Sequence, residues 1–155
     1  MPAAAVPATL PIHLECVSWQ LVQHHLLHGA LRFEAVACDY LRSVPPADRS
    51  ARFCLATRID EPIEVLGLLQ YRVGRDDLYF DYVRVRESCR QRGIGRHMVT
   101  EVVMHPTCLQ LGRLHWMAGG NGCETLIRHL EHLRDHGRRL CGTSFRVLRG
   151  KTSAR

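Results

Sequence analysis

The chain has 155 residues, of which 46% are hydrophobic and 23% charged, a composition typical of one globular domain. No apolar run approaches the roughly 20 residues that cross a bilayer, so we expect no membrane-spanning helix. The formal net charge is +6, and Lys151 is the only lysine, so arginine carries nearly all of the positive charge. A surface of this kind attracts polyanions, a class that includes phosphorylated cofactors and nucleic acids.

The two ends of the chain differ in composition from its centre. Residues 1–11 are rich in Ala and Pro and carry no basic residue, so we predict a flexible leader and not a secretory signal. We place a single domain at residues 12–149 and a C-terminal tail at 150–155. Seven cysteines without a CxxC pair favour reduced thiols, a cytoplasmic location and no metal site.

The apolar pattern in the first half of the chain predicts a strand, two helices and three strands. Residues 12–17 alternate as a strand, and Ser18 can cap a helix that Gly29 ends. A second helix is predicted over residues 31–42. Strands follow at residues 53–57, 63–72 and 78–85. In the last of these, alternation assigns one face to Leu78, Phe80, Tyr82 and Arg84, and the other to Tyr79, Asp81, Val83 and Val85.

Beyond residue 85 the apolar period becomes helical. Gly95 or Arg96 opens a helix that ends before Pro106. A short strand is predicted at residues 114–118, followed by a long helix that ends at Gly137. A closing hairpin is predicted from residues 139–141 and 144–148. This order predicts an α/β fold with a central mixed sheet flanked by helices.

The segment from Arg90 to Gly95 joins a predicted strand to a predicted helix. The N-terminus of a helix leaves backbone N–H groups without intrahelical partners and carries a partial positive charge, both of which suit phosphate oxygens. Gly93 and Gly95 lack a Cβ, so the backbone there can approach a ligand closely.

Arginines surround this segment. Five arginines and one acid lie between Arg84 and Arg96, and guanidinium groups bind phosphate through paired hydrogen bonds. The residues therefore predict an anion site at a helix N-terminus. A tight turn that merely exposes arginines would have the same pattern, and this alternative stays open on the residues alone.

The segment Arg90-Gln91-Arg92-Gly93-Ile94-Gly95 resembles the motif of the GNAT family of N-acetyltransferases, which reads Gln or Arg, two residues, Gly, one residue, and Gly or Ala. The strand before it and the helix after it are also similar to that family. The resemblance is specific over residues 78–105 and extends by element order over residues 11–149. It implies a GNAT-like acyl-CoA N-acyltransferase fold, with acetyl-CoA or another acyl-CoA as co-substrate.

The resemblance also implies roles for individual residues. Residues of the loop would hold the CoA pyrophosphate. These residues are Arg90, Gln91, Arg92, Gly93, Ile94, Gly95 and Arg96. Backbone groups of Val83 and Val85 would pair with the pantetheine arm as an added strand does, and one such N–H would polarise the thioester carbonyl. Asn121, after the next strand, completes the implied cofactor-binding set.

Members of the family often carry an acidic general base on the strand before the loop, where this chain has Tyr79. Because a free tyrosine has a pKa of about 10, Asp81 on the same predicted face is the second candidate for the base. An orienting or solvated carboxylate is the alternative reading of Asp81. The position of the family's general acid is occupied by Arg128, which leaves that role unassigned.

The resemblance implies transfer of an acyl group from CoA to a primary amine on a small molecule or a protein. Two alternatives stay open: an acyl-CoA-binding module without turnover, and an enzyme that acts on an amine carried by RNA or protein. Aromatic residues do not interleave with the arginines, so nucleic acid is the less favoured partner. A homodimer is compatible with the sequence.

Overall fold

Six strands in sequence order form one mixed sheet in the computed structural model, which describes residues 11–120, 122–137 and 145–150. The first four strands pair antiparallel, whereas β4 with β5 and β5 with β6 pair parallel. The predicted mixed sheet is confirmed. The strands are β1 (Ile12–Ser18), β2 (Arg52–Arg58), β3 (Val65–Val73), β4 (Asp77–Val85), β5 (Arg113–Trp116) and β6 (Arg146–Arg149).

Helices cover both faces of the sheet. One face packs against α1 (Trp19–His28) and α2 (Ala35–Ser43), through a core that includes Trp19, Leu41 and Phe53. The other face packs against α3 (Ile94–Val103) and α4 (Cys123–His132), through a core that includes Phe80, Met98 and Leu130. Residues Leu133–Gly137 extend α4 with π-helical winding. We refer to the two sides as the α1/α2 face and the α3/α4 face.

The ends of α1 follow the predicted capping residues. The Ser18 side chain accepts a hydrogen bond from the Leu21 N–H at 3.2 Å, and Gly29 takes a left-handed conformation with φ 65°. The predicted start of α2 at residue 31 is wrong, because Arg32 instead forms a β-bridge with Glu64. Its N–H donates to the Ile63 carbonyl, so the helix begins only at Ala35.

A β-bulge in β4 overturns the predicted faces of that strand. Gln70 of β3 lies opposite Tyr82 and Tyr71 lies opposite Phe80, so Asp81 has no partner in the register. An extra residue of this kind shifts the alternation by one. The α3/α4 face therefore receives Leu78, Phe80, Val83 and Val85, and the α1/α2 face receives Tyr82.

Several predicted features lie outside the described residues: most of the leader, the tail, Asn121 and the first arm of the closing hairpin. The second arm is represented by β6, which joins the sheet edge beside β5. The six described cysteines are free thiols. Within the described ranges no helix is long and apolar enough to cross a membrane.

Candidate active site

Strands β4 and β5 separate beyond Phe80 and Trp116. Their parallel pairing ends at these two residues, and the N–H groups of Met117 and Ala118 both donate to the Phe80 carbonyl, at 2.9 and 3.0 Å. Strand β5 stops there, whereas β4 continues to Val85. We call the opening between residues 81–85 and residues 117–120 the fork.

The backbone polar groups of Val83 and Val85 face the fork. The Arg86 N–H donates to the Leu66 carbonyl at 2.7 Å, which marks a hydrogen-bonded pair between β4 and β3. Such pairs alternate along antiparallel strands, so Arg84 also bonds to β3 while Val83 and Val85 turn their N–H and C=O groups away from it. The fork therefore exposes a strand edge that an extended ligand arm can join.

The loop before α3 places a helix N-terminus beside the end of β4. Gln91 and Gly93 adopt left-handed conformations, with φ 62° and 80°, and Gly93 is the N-cap. The helix begins at Ile94, one residue earlier than predicted, and its first-turn N–H groups lack intrahelical acceptors. A Cβ added at Gly95 would lie 3.8 Å from Val85 Cγ2, so these groups lie next to the fork.

The two loop glycines serve different purposes. Gly93 has φ 80°, a conformation that side chains with a Cβ rarely adopt. At Gly95 the closest atom to an added Cβ is Leu126 Cδ2 at 3.2 Å, on α4. The missing side chain of Gly95 therefore allows α3 and α4 to approach each other, and its contribution to a ligand site is indirect.

The five arginines between residues 84 and 96 divide into two groups. Arg84 forms an ion pair with Glu34 at 2.7 Å, and Arg86 forms one with Glu64 at 3.1 Å. Both are thereby neutralised and held against the α1/α2 side. The charge available to an anion comes from the other group, Arg90, Arg92 and Arg96, which form no salt bridge within the described part of the chain. The Arg90 Nε also donates to the Val85 carbonyl at 3.3 Å.

The two predicted catalytic residues, Tyr79 and Asp81, are joined by Arg72. The Asp81 carboxylate accepts hydrogen bonds from Arg72 Nε at 2.6 Å and Nη2 at 3.0 Å, and its side chain is 17% exposed. The Arg72 guanidinium carbon also lies 4.5 Å from the centre of the Tyr79 ring. Arg72 thus holds both side chains on the α1/α2 face.

His115 belongs to the same group, although no pattern in the sequence indicates it. It lies opposite Tyr79 in the parallel register, and the two rings stack at 4.4 Å. Its Nε2 is 2.7 Å from Asp77 Oδ1. A carboxylate can only accept, so Nε2 carries a proton, and in the neutral form of the ring Nδ1 keeps a lone pair. Only the register of β4 against β5 identifies His115. The apolar periodicity of the sequence carries no information about that register.

Arg113 reinforces this pair. Its Nε and Nη2 donate to Asp77 at 2.7 and 3.1 Å. The hydrogen bonds from Arg113 and then from His115 lower the pKa of Asp77 to about 2. Asp77 is therefore ionised at neutral pH and fixes the orientation of the His115 ring.

Tyr40 closes the group on the side of α2. Its hydroxyl donates to Gln70 Oε1, and its ring stacks on Tyr82 with centres 3.6 Å apart. Burial, followed by the negative charge of Asp81, raises the pKa of Tyr40 to about 12. Tyr40 therefore stays protonated at neutral pH.

Among the described residues of the α3/α4 face, three candidates can be compared as proton donors for a leaving thiolate. Arg128 is exposed on α4. Cys123 begins α4 with its Sγ 3.3 Å from the Gly119 carbonyl, and burial raises the pKa of its thiol. His129 bonds to Thr100 at 2.7 Å, and burial lowers its pKa. Among the described residues, no three His, Cys, Asp or Glu side chains converge as ligands for a metal ion.

The chain matches a family model described as the acetyltransferase (GNAT) family over residues 17–137. No curated protein matches the sequence. Among solved structures, a ribosomal-protein-alanine N-acetyltransferase from Brucella melitensis biovar Abortus 2308 superposes with a TM-score of 0.54 at 14% identity, over 77% of this chain and 90% of that one. This likeness shows the fold.

Two further structures are similar at lower scores. NAA60 of Arabidopsis thaliana in complex with acetyl-CoA gives a TM-score of 0.44 at 16% identity, over 79% of this chain and 82% of that one. An aminoglycoside antibiotic 6'-N-acetyltransferase of Acinetobacter baumannii gives a TM-score of 0.44 at 14% identity, over 90% of this chain and 97% of that one.

Proposed function

The chain belongs to the acetyltransferase (GNAT) family, and from this premise we propose that it transfers an acetyl or related acyl group from CoA to a primary amine. The observation that carries the proposal is the fork, whose strand edge at Val83 and Val85 is not paired by β5 and lies beside the N-terminus of α3. An acyl-CoA has an extended amide-containing arm, which suits the strand edge of the fork. It also has a pyrophosphate, which suits the N-terminus of α3.

In this proposal the pyrophosphate binds at the loop and the arm lies in the fork. The amides of the first turn of α3 and the side chains of Arg90, Arg92 and Arg96 surround the phosphates. The proposed cofactor-binding residues are Val83, Val85, Arg90, Gln91, Arg92, Gly93, Ile94, Gly95, Arg96 and Asn121, the last of which lies outside the described residues.

The acceptor amine approaches from the α1/α2 face. Its nitrogen attacks the thioester carbon, the carbon–sulfur bond breaks, and the CoA thiolate leaves. A backbone N–H of β4 at the fork stabilises the charge that develops on the thioester oxygen. The nitrogen loses a proton in this step, so a group on the same face must accept it.

Three side chains on that face are assigned roles around the reacting nitrogen. Tyr79 offers a hydroxyl that can orient the amine. Both oxygens of Asp81 already accept hydrogen bonds from Arg72, which favours an orienting role for this carboxylate. In the neutral form of the His115 ring Nδ1 has a lone pair, so His115 is the proposed proton acceptor, directly or through a water.

Ligand-dependent melting combined with thiol release tests the proposal. A ligand that binds only the native state at a hundredfold excess over Kd stabilises it by about 2.7 kcal/mol, so acetyl-CoA should raise the Tm by several degrees. A panel of amines should then release free CoA thiol from acetyl-CoA.

Two outcomes would contradict the proposal in different ways. An unchanged Tm at millimolar acetyl-CoA would remove the cofactor assignment. A raised Tm without CoA release from any amine would favour an acyl-CoA-binding module, the alternative that the exposed Arg128 at the family's acid position supports.

A further inference from the structure

We infer that the acceptor is a monoamine, whose reacting nitrogen is its only cationic group, and not a polycation such as a polyamine. The inference rests on the proposed function, because it concerns the face from which the amine approaches. It follows from the state of the carboxylates on that face.

Three carboxylates line the α1/α2 side of β4 and its approach, and each is matched by an arginine. Asp81 is bound to Arg72 at 2.6 Å. The two other pairs are Asp77 with Arg113 at 2.7 Å and Glu34 with Arg84 at 2.7 Å.

The geometry of these pairs limits access to the carboxylate oxygens. The side chains of Asp81, Asp77 and Glu34 are only 17%, 18% and 22% exposed. Both oxygens of Asp81 and of Asp77 accept from an arginine fork. In Glu34, one oxygen accepts from Arg84 and the other from the Glu87 N–H. A second ammonium group would have to share these oxygens with donors already bound, and the negative charge it meets is already offset by an arginine.

The remaining carboxylates lie outside the group formed by Asp81, Asp77 and Glu34. The chain has 15 acidic residues, and all of them lie within the described ranges. Asp48, whose charge acts on Arg72, accepts from the Ser50 hydroxyl and two backbone N–H groups. Asp39 on α2 is 79% exposed and pairs with Arg42. The others occupy the loops, the far edge strand and the α3/α4 side, at Glu15, Asp60, Glu61, Glu64, Asp76, Glu87, Glu101, Glu124, Glu131 and Asp135.

Charge balance therefore selects among amines. A polycation gains affinity and association rate from a surface of unpaired carboxylates, and like charges repel it. Three arginines balance Asp81, Asp77 and Glu34, hydrogen bonds from Ser50 and Ala51 occupy Asp48, and His115 adds positive charge when it is protonated. A monoamine on a neutral or anionic body avoids this repulsion and needs only the groups that orient its nitrogen.

The decisive experiment compares acceptors by thiol release at one ionic strength. We expect kcat/KM for phenylethylamine or for the free N-terminus of an uncharged tetrapeptide to exceed kcat/KM for spermine and for kanamycin by at least tenfold. A higher value for spermine or kanamycin than for every monoamine overturns the inference and leaves the proposed function intact. Failure of all amines, with acetyl-CoA still raising the Tm, overturns the proposed function and the inference together.

A variant adds a second readout. Arg113→Gln leaves Asp77 without its arginine, so the ratio of kcat/KM for spermine to that for phenylethylamine should rise severalfold at low salt and fall back at high salt. Arg58→Gln is the matched control, since it breaks an equally bidentate pair with Asp60 beyond β2. An Arg113→Gln ratio equal to that of the control contradicts the inference.

Discussion

Two residues on the α1/α2 face, Asp81 and His115, are alternatives for the proton acceptor, and their hydrogen bonds distinguish them. Both oxygens of Asp81 accept from Arg72, whereas His115 is hydrogen-bonded to Asp77 through Nε2. A base must be deprotonated to act, so kcat/KM rises with pH through its pKa and forms an acidic limb. If His115 is the base, that limb belongs to an imidazole.

We expect His115→Gln to lower kcat by about 10²–10⁴-fold and to remove the acidic limb of the profile. Asp81→Asn should keep the limb and act mainly on KM, as loss of an orienting group does. Asp39→Asn, on the exposed side of α2, is the matched control. The measurement is the pH–rate profile of each variant. Loss of the limb in Asp81→Asn with its retention in His115→Gln would return the base to Asp81.

The sequence identified part of this group and missed the rest for physical reasons. Tyr79 and Asp81 were found because they lie on the strand before the loop. Their relation to Val83 and Val85 was assigned wrongly, since strict alternation does not anticipate the bulge at Asp81. His115 could not be found, because it meets Tyr79 only through the register of two strands that are distant in sequence.

At the scale of elements, the join between β4 and α3 depends on two glycines with different roles. Gly95→Val should lower the free energy of unfolding by about 1–3 kcal/mol without any ligand, because the added side chain overpacks the space against Leu126. Gly93→Ala should cost about 1–2 kcal/mol from its positive φ and should also abolish most of the Tm shift by acetyl-CoA.

Melting curves with and without acetyl-CoA separate the two effects. Gly74→Ala is the control, since a Cβ there meets only ordinary contacts at 3.5 Å. If Gly95→Val melted as the wild type does without ligand and lost only the acetyl-CoA shift, Gly95 would belong to the ligand surface and not to the packing of α3 on α4.

The order of helices and strands was predictable, because the spacing of apolar residues differs between a helix and a strand. The caps of α1 were also predictable, since Ser18 and Gly29 act locally. The start of α2 was not, because the competing bridge between Arg32 and Glu64 is a tertiary contact. The fork could not be predicted for the same reason, because it depends on where β5 stops pairing with β4, at Trp116.

At the scale of the whole molecule, the net charge of +6 is less concentrated around the loop than the sequence indicates. Glu34 and Glu64 neutralise Arg84 and Arg86, so three arginines around α3 remain. A pyrophosphate needs a compact cationic site of this size. A nucleic acid needs a longer basic track that contacts several phosphates, and its affinity then falls steeply with salt.

Charge reversal at Arg92 therefore distinguishes the two kinds of polyanion. Arg92→Glu should weaken acetyl-CoA binding by more than about 1 kcal/mol, because it removes a charge-assisted contact and adds repulsion. Arg75→Glu, an equal change of charge in the exposed turn between β3 and β4, should leave acetyl-CoA binding unchanged. Titrations with acetyl-CoA and with a random RNA oligomer at several salt concentrations provide the comparison. Tight, salt-sensitive RNA binding that is lost in Arg92→Glu, with acetyl-CoA binding intact, would make nucleic acid the ligand of this loop.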